Sequence, residues 1–217
     1  MLKGKERAIA GFVSLLAQAP WDVGQDDVAV LRAAGLGEQA ILHVVVLGAY
    51  FNYLNRVADA VDIEFDYESA LPRMVRDVER EPLPIPAPRV PNPAPLAMRL
   101  VERAGTAQAF AQWSAYVMER DQPLTRRDRR VIARSASLAL ADGATAQRLA
   151  DAVPRDDREC ILGEYARVLT STPWRLGRGH LDSLRALGLD DVGLLDVISV
   201  AAFQNTASRL GLVLTRP

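Results

Sequence analysis

Three side chains in this sequence are standard carriers of nucleophilic, acid–base or metal chemistry near neutral pH: the only cysteine, Cys160, and the only two histidines, His43 and His180. Cys160 falls at the start of a predicted helix, where the positive helix end favours a thiolate. Asp156, Asp157 and Glu159 precede it and act the other way, since negative neighbours raise a thiol pKa. Cys160 therefore reads as a small residue packed or idle at a helix start. His43 lies within the apolar run ILHVVVLGAY and His180 follows Gly179. Neither has a second ligand at a convincing spacing, so no metal and no cofactor is expected. Asn52 with Arg56, and Asn205 with Arg209, are polar pairs on otherwise apolar helices. A separation of four residues puts each pair on one helix face. Buried polar groups must be satisfied, so these four read as a structural network that fixes helix packing. The stretch TRRDRRVIAR, from Thr125, reads as a solvated helix face paired with the acidic run DIEFDYE that begins at Asp62.

The elements that carry these residues are helical. Predicted helices cover residues 5–18, 26–34, 38–60, 96–120, 125–141, 144–153, 157–170, 178–187 and 190–213, and no stretch alternates as a strand. Between them lies EPLPIPAPRVPNPAP, from Glu81 to Pro95, with proline at nearly every second position. Proline lacks the donor a helix needs, so this is a stiff, extended connector, read as a strap across the protein's own surface.

The chain has 217 residues, 49% apolar and 24% charged, with a formal net charge of -1. That is a globular composition that can bury a sizeable core, and it gives no general attraction to nucleic acid. The longest apolar run is too short and too interrupted to cross a bilayer, and MLKGKERAIAGF has no signal-peptide core. With a lone cysteine, the expected setting is the reducing cytoplasm.

The chain also repeats itself. Aligning Trp21 with Trp174 without gaps matches Pro20 with Pro173, Gly24 with Gly177, Leu31-Arg32-Ala33 with Leu184-Arg185-Ala186, and Gly35-Leu36 with Gly188-Leu189. Asn52 then meets Asn205 and Arg56 meets Arg209, while the register reaches back to Glu6 and Glu159. A spaced, ungapped series of turn glycines, core leucines and polar helix residues implies a three-helix unit written twice. A pseudo-twofold packing of the copies would bring His43 towards its counterpart Asp196, as a structural pair. Tyr50, Phe51, Tyr53 and Phe203 are expected to fill the same interface, or alternatively to line a small pocket.

The segments RECIL, YARVLTSTPW, LRALGL and AAFQNTASRLGL, together with the earlier AYFNYLNRVADAV, resemble the alkylhydroperoxidase D-like, or carboxymuconolactone decarboxylase, superfamily in its peroxidase-related branch. The resemblance covers about 125–214 as a nearly full domain and 6–66 as a C-terminal half-domain. It implies an all-α, alkylhydroperoxidase D-like helical fold with internally repeated units and pseudo-twofold packing. The corresponding division is a half-domain copy at 1–66, an acidic then Pro-rich connector at 67–95, and a degenerate domain at 96–217. In that family a C-x-x-C pair supplies two thiols, a histidine follows four residues later, and a glutamate lies about twelve residues upstream. The corresponding positions here are Ala141, Ala144, Arg148 and Arg129. Alanine has no nucleophile and arginine is no base near neutral pH, so the thiol chemistry does not carry over.

The expected function is that of a catalytically degenerate, oligomeric or small-ligand-binding scaffold, a homodimer by preference, without nucleic-acid or membrane partners. The alternatives are a thiol-free lyase acting on a carboxylate-bearing molecule through His43, Arg148 or His180, or residual peroxidase activity through Cys160.

Overall fold

The structure, a computed structural model, describes residues 3–61, 81, 83–88 and 94–215. They form helices α1 (Gly4–Gln18), α2 (Gln25–Ala33), α3 (Glu38–Val61), α4 (Thr106–Met118), α5 (Arg126–Leu138), α6 (Gly143–Arg148), α7 (Asp157–Ser171), α8 (Arg178–Ala186) and α9 (Asp191–Val213). The protein is all-α. Among the described residues the only β-pairing is an isolated parallel bridge between Leu96 and Leu214, and no helix is long and apolar enough to cross a membrane.

The two corners flagged by sequence close in the same way. Gly35 and Gly188 adopt φ of 85° and 81°, left-handed values that a side chain would strain. Each lets the chain reverse after α2 or α8 and deliver Leu36 or Leu189 into a core. Before those helices, the Gly24 N–H donates to Asp27 Oδ2 at 2.8 Å and the Gly177 N–H donates to His180 Nδ1 at 3.2 Å. Each is the reciprocal half of a capping box. The elements keep one offset of 153 residues: Gly4–Gln18 against Asp157–Ser171, Pro20–Asp22 against Pro173–Arg175, and Gln25–Ala33 against Arg178–Ala186. The long helices α3 and α9 start at Glu38 and Asp191, in the same register.

α3 and α9 pack most extensively on each other, and α5 lies against α7 and α9. Each long helix crosses into the other unit's core. Val57 and Ala60 of α3 join the cluster around Leu162, Leu184 and Ile198, while Leu210 and Val213 of α9 join the cluster around Leu16, Leu31 and Val45. Fully burying a leucine such as Leu31 or Leu184 contributes about 2 kcal/mol. α5 and α7 approach closely because Gly163 has no side chain; a Cβ there would lie 2.7 Å from Ser135 Oγ.

Three expectations are corrected. The helix expected from 96 begins only at Thr106, because residues 96–99 run extended: Leu96 N–H donates to Val213 O and Thr215 N–H to Met98 O. Local helical pattern was overridden there by pairing with the end of α9. The arginines of α5 are not one solvated face. Arg127 grips Glu159, Arg130 pairs with Asp151, and Arg126 pairs with Asp121. Arg129 is fully buried and donates to Val117 O, Arg120 O, Gln122 O and both carboxylate oxygens of Asp196. The acidic run at Asp62 lies outside the described residues. The pairing of His43 with Asp196 also fails, since Asp196 belongs to Arg129 and the exposed His43 instead accepts from Arg103.

Candidate functional site

α6 is short because its start is forced and its end is free. Ala141 sits in the left-handed region with φ of 55°, which turns the chain so that Asp142 Oδ1 caps the helix by accepting from the Thr145 N–H at 3.1 Å. The helix then presents Thr145, Arg148 and Leu149 to a cavity of about 510 Å³, whose other walls come from α4 and α9. That volume lies in the range of small-molecule sites.

Phe110 and Met118 of α4, with Phe203 and Leu210 of α9, supply most of the wall. The aromatic side is rigid. The Phe110 and Phe203 rings stack at 5.4 Å, and Trp113 stands edge-on to Phe203 at 4.7 Å and to Tyr53 at 4.9 Å. Five polar side chains interrupt this surface, Ser114, Thr145, Arg148, Gln204 and Thr215. Gln204 Nε2 donates to Ser208 Oγ at 2.9 Å, which fixes the amide and leaves its oxygen available to a guest. Arg148 Nη2 donates to Thr145 Oγ1 at 2.8 Å. Arg148 makes no ion pair, and no carboxylate, histidine or cysteine lines the cavity among the described residues. One guanidinium against aromatic and aliphatic walls suits an apolar molecule with an anionic end. Among the described walls no side chain is a carboxylate, imidazole or thiol that could act as a general base or nucleophile.

Of the residues picked out in the sequence, Arg148 and Phe203 line this cavity, and the others lie apart from it. Ala141 is fully buried against Ala19, Trp21 and Leu140, and Ala144 is half-buried. Arg129 sits at the α5–α9 contact, an anchor for three carbonyls and one carboxylate. Cys160 is exposed and borders a separate cavity of about 280 Å³ with Glu164, His180 and Ser183. There Glu164 is held below the usual carboxylate range, first by its hydrogen bond to Arg167, and His180 Nδ1 is engaged by the Gly177 N–H. Asn205 and Arg209 form a buried cluster: Asn205 Nδ2 donates to Thr170 Oγ1 at 2.8 Å, and Arg209 Nη1 donates to Asn205 Oδ1 at 2.9 Å. Asn52 Nδ2 donates only along its own helix, to Gly48 O at 2.9 Å. Arg56 has an ion pair with Asp59 at 3.5 Å. Phe203 is buried as expected, but Tyr50 and Phe51 are substantially exposed on α3. No group of three or more histidine, cysteine or acidic side chains able to hold a metal occurs among the described residues.

No protein-family model, no curated protein and no solved structure matches this chain.

The sequence pointed to Arg148 and Phe203 but not to the rest of the walls. Gln204, next to Asn205 on an apolar helix, carried the only local signal, a polar side chain where a core residue is expected. Phe110 and Met118 looked like ordinary core residues, because facing a cavity and facing a neighbour require the same side chains.

Hydroperoxide consumption with a dithiol reductant is expected to stay at the background of Cys160→Ser, since no described side chain is hydrogen-bonded to the Cys160 thiol to activate it. Turnover present in the wild type and abolished in Cys160→Ser would contradict this.

Proposed function

We propose that the chain is a catalytically degenerate relative of the alkylhydroperoxidase D and carboxymuconolactone decarboxylase proteins. It keeps a duplicated helical scaffold with pseudo-twofold packing, has no thiol pair, and binds a small apolar molecule with an anionic end in the α4–α6–α9 cavity. The observation that carries the binding reading is Arg148, a cation with no ion pair in a largely apolar cavity that no described acid lines. Support for the duplication is the constant offset of the helices and the reciprocal entry of α3 and α9 into each other's cores. The thiol-free lyase reading receives less support, because a decarboxylation or elimination needs a positioned acid or base and none of the described cavity walls supplies one.

Octanoate tests this reading, with octan-1-ol as its uncharged counterpart. Calorimetry is expected to show saturable octanoate binding to the wild type, weakened about tenfold or more in Arg148→Met, since a charge-assisted hydrogen bond contributes about 1.5–3 kcal/mol. Ala207→Phe, which fills the cavity, is expected to abolish it. Equal binding of octanoate and octan-1-ol, or wild-type affinity in Arg148→Met, would sink the proposal.

The proposal includes a homodimer. Leu47, Tyr50, Phe51 and Leu54 form an exposed apolar stripe along α3. Their register counterparts on α9, Val200, Phe203, Gln204 and Ala207, are buried or border the α4 cavity. The front unit has no counterpart to α4–α6, so a second copy is the natural cover for this face. Light scattering is expected to give twice the chain mass for the wild type and one chain mass for Phe51→Glu; a monomeric wild type would refute the dimer.

A further inference from the structure

A second cavity, of about 420 Å³, lies where the two units meet, between the ends of α1 and α7, the middle of α3 and the described part of the Pro-rich segment. Its walls include both register-matched tryptophans, Trp21 and Trp174, with Leu83, Ile85 and Leu140. Two guanidiniums face it, Arg56 and Arg209, and their situations differ. Arg209 is saturated: Nε donates to Leu16 O at 3.1 Å, Nη2 to Ala17 O at 2.8 Å, and Nη1 to Asn205 O at 3.1 Å and Oδ1 at 2.9 Å. All of those acceptors are neutral, so its charge is not compensated. Arg56 makes no hydrogen bond to a described residue. Its Nη1 approaches Asp59 at 3.5 Å, and its Nε is buried without a partner.

A buried guanidinium edge without an acceptor is an unusual feature of a folded protein, because each such donor normally finds a partner. Asp59 occupies the Nη1 side, which leaves Nε and the neighbouring nitrogen as a two-donor fork matched to a carboxylate. Burial holds both arginines below their usual pKa, and the proximity of Arg56 lowers Arg209 further. Both follow from burial of positive charge with little compensation, which the acceptor-free Arg56 edge shows directly. The acidic groups sit at the rim: Asp59 is partly exposed, and Glu81 is almost fully exposed at 3.9 Å from Arg175. A second negative charge on a guest would meet them.

We propose that this inter-unit cavity is a second ligand site, which binds a small monocarboxylate with an aromatic or apolar body, its carboxylate on Arg56 and its body between Trp21 and Trp174. The site is separate from the Arg148 cavity and does not depend on it.

Benzoate is the probe, beside uncharged benzamide, the dicarboxylate phthalate and inorganic phosphate, with binding read by calorimetry and tryptophan fluorescence. Benzoate is expected to bind saturably and to change the emission, and the other three to bind at least tenfold more weakly. Arg56→Gln is expected to weaken benzoate at least tenfold, and Arg56→Lys to weaken it less, because a lysine keeps the charge but loses the fork. Arg148→Met is expected to bind benzoate as the wild type does. The far-ultraviolet circular dichroism of each variant shows whether it folds, and Arg56→Lys carries the test if Arg56→Gln does not. Benzamide or phosphate binding as tightly as benzoate, unchanged affinity in a folded Arg56 variant, or no binding of benzoate at all would overturn the proposal.

Discussion

The tie between Arg209 and the end of α1 is the constraint on which the rest of the structure hangs. A helix ends with carbonyls that have no partner in the helix, and burying such an end without donors is costly. α1 ends in the interior, with Leu16 fully buried. Arg209 reaches from α9 to Leu16 O and Ala17 O and closes that end. Since α9 also bonds α7 through Asn205 and Thr170, and α3 through Thr206 Oγ1 and Ala49 O at 3.0 Å, one helix fixes the positions of three others. The α4–α6–α9 cavity inherits its rigidity from that arrangement.

The same residue pair has diverged between the two units. In the rear unit, Asn205 and Arg209 are absorbed into packing. In the front unit, Asn52 bonds only its own helix and Arg56 is left with a single weak ion pair. On the proposed duplication, one copy of the pair would hold the structure while the other is released for binding. Arg129 shows a comparable change of role. Expected on a solvated helix face, it instead clamps the carbonyls of Val117, Arg120 and Gln122 together with Asp196.

Much of the fold could be read in the sequence. The glycine corners and the helical periodicity report local geometry, and local geometry follows from residue type. What the sequence did not show depended on distant partners. Residues 96–99 became extended because the end of α9 offered backbone groups to pair with. The α5 arginines found Glu159, Asp151 and Asp196 from other segments. His43 lost its expected partner because Arg129 approached Asp196 from a helix with no counterpart in the front unit. At the candidate site, Arg148 could be picked out as an unusual residue at a family position, but the absence of any acid beside it is a tertiary fact. The contrast between Arg56 and Arg209 is invisible in a sequence that writes both the same way.

Paired substitutions at those two positions test the central claim most directly. Urea unfolding of Arg209→Met is expected to show a loss of about 3 kcal/mol or more, because the carbonyls of Leu16 and Ala17 and the Asn205 amide oxygen would be left buried and unpaired. Arg56→Met is expected to be within about 1 kcal/mol of the wild type or more stable, since an apolar side chain of similar length replaces a desolvated charge with few partners. Equal losses at the two positions would contradict the account, by showing that both copies of the pair do the same structural work.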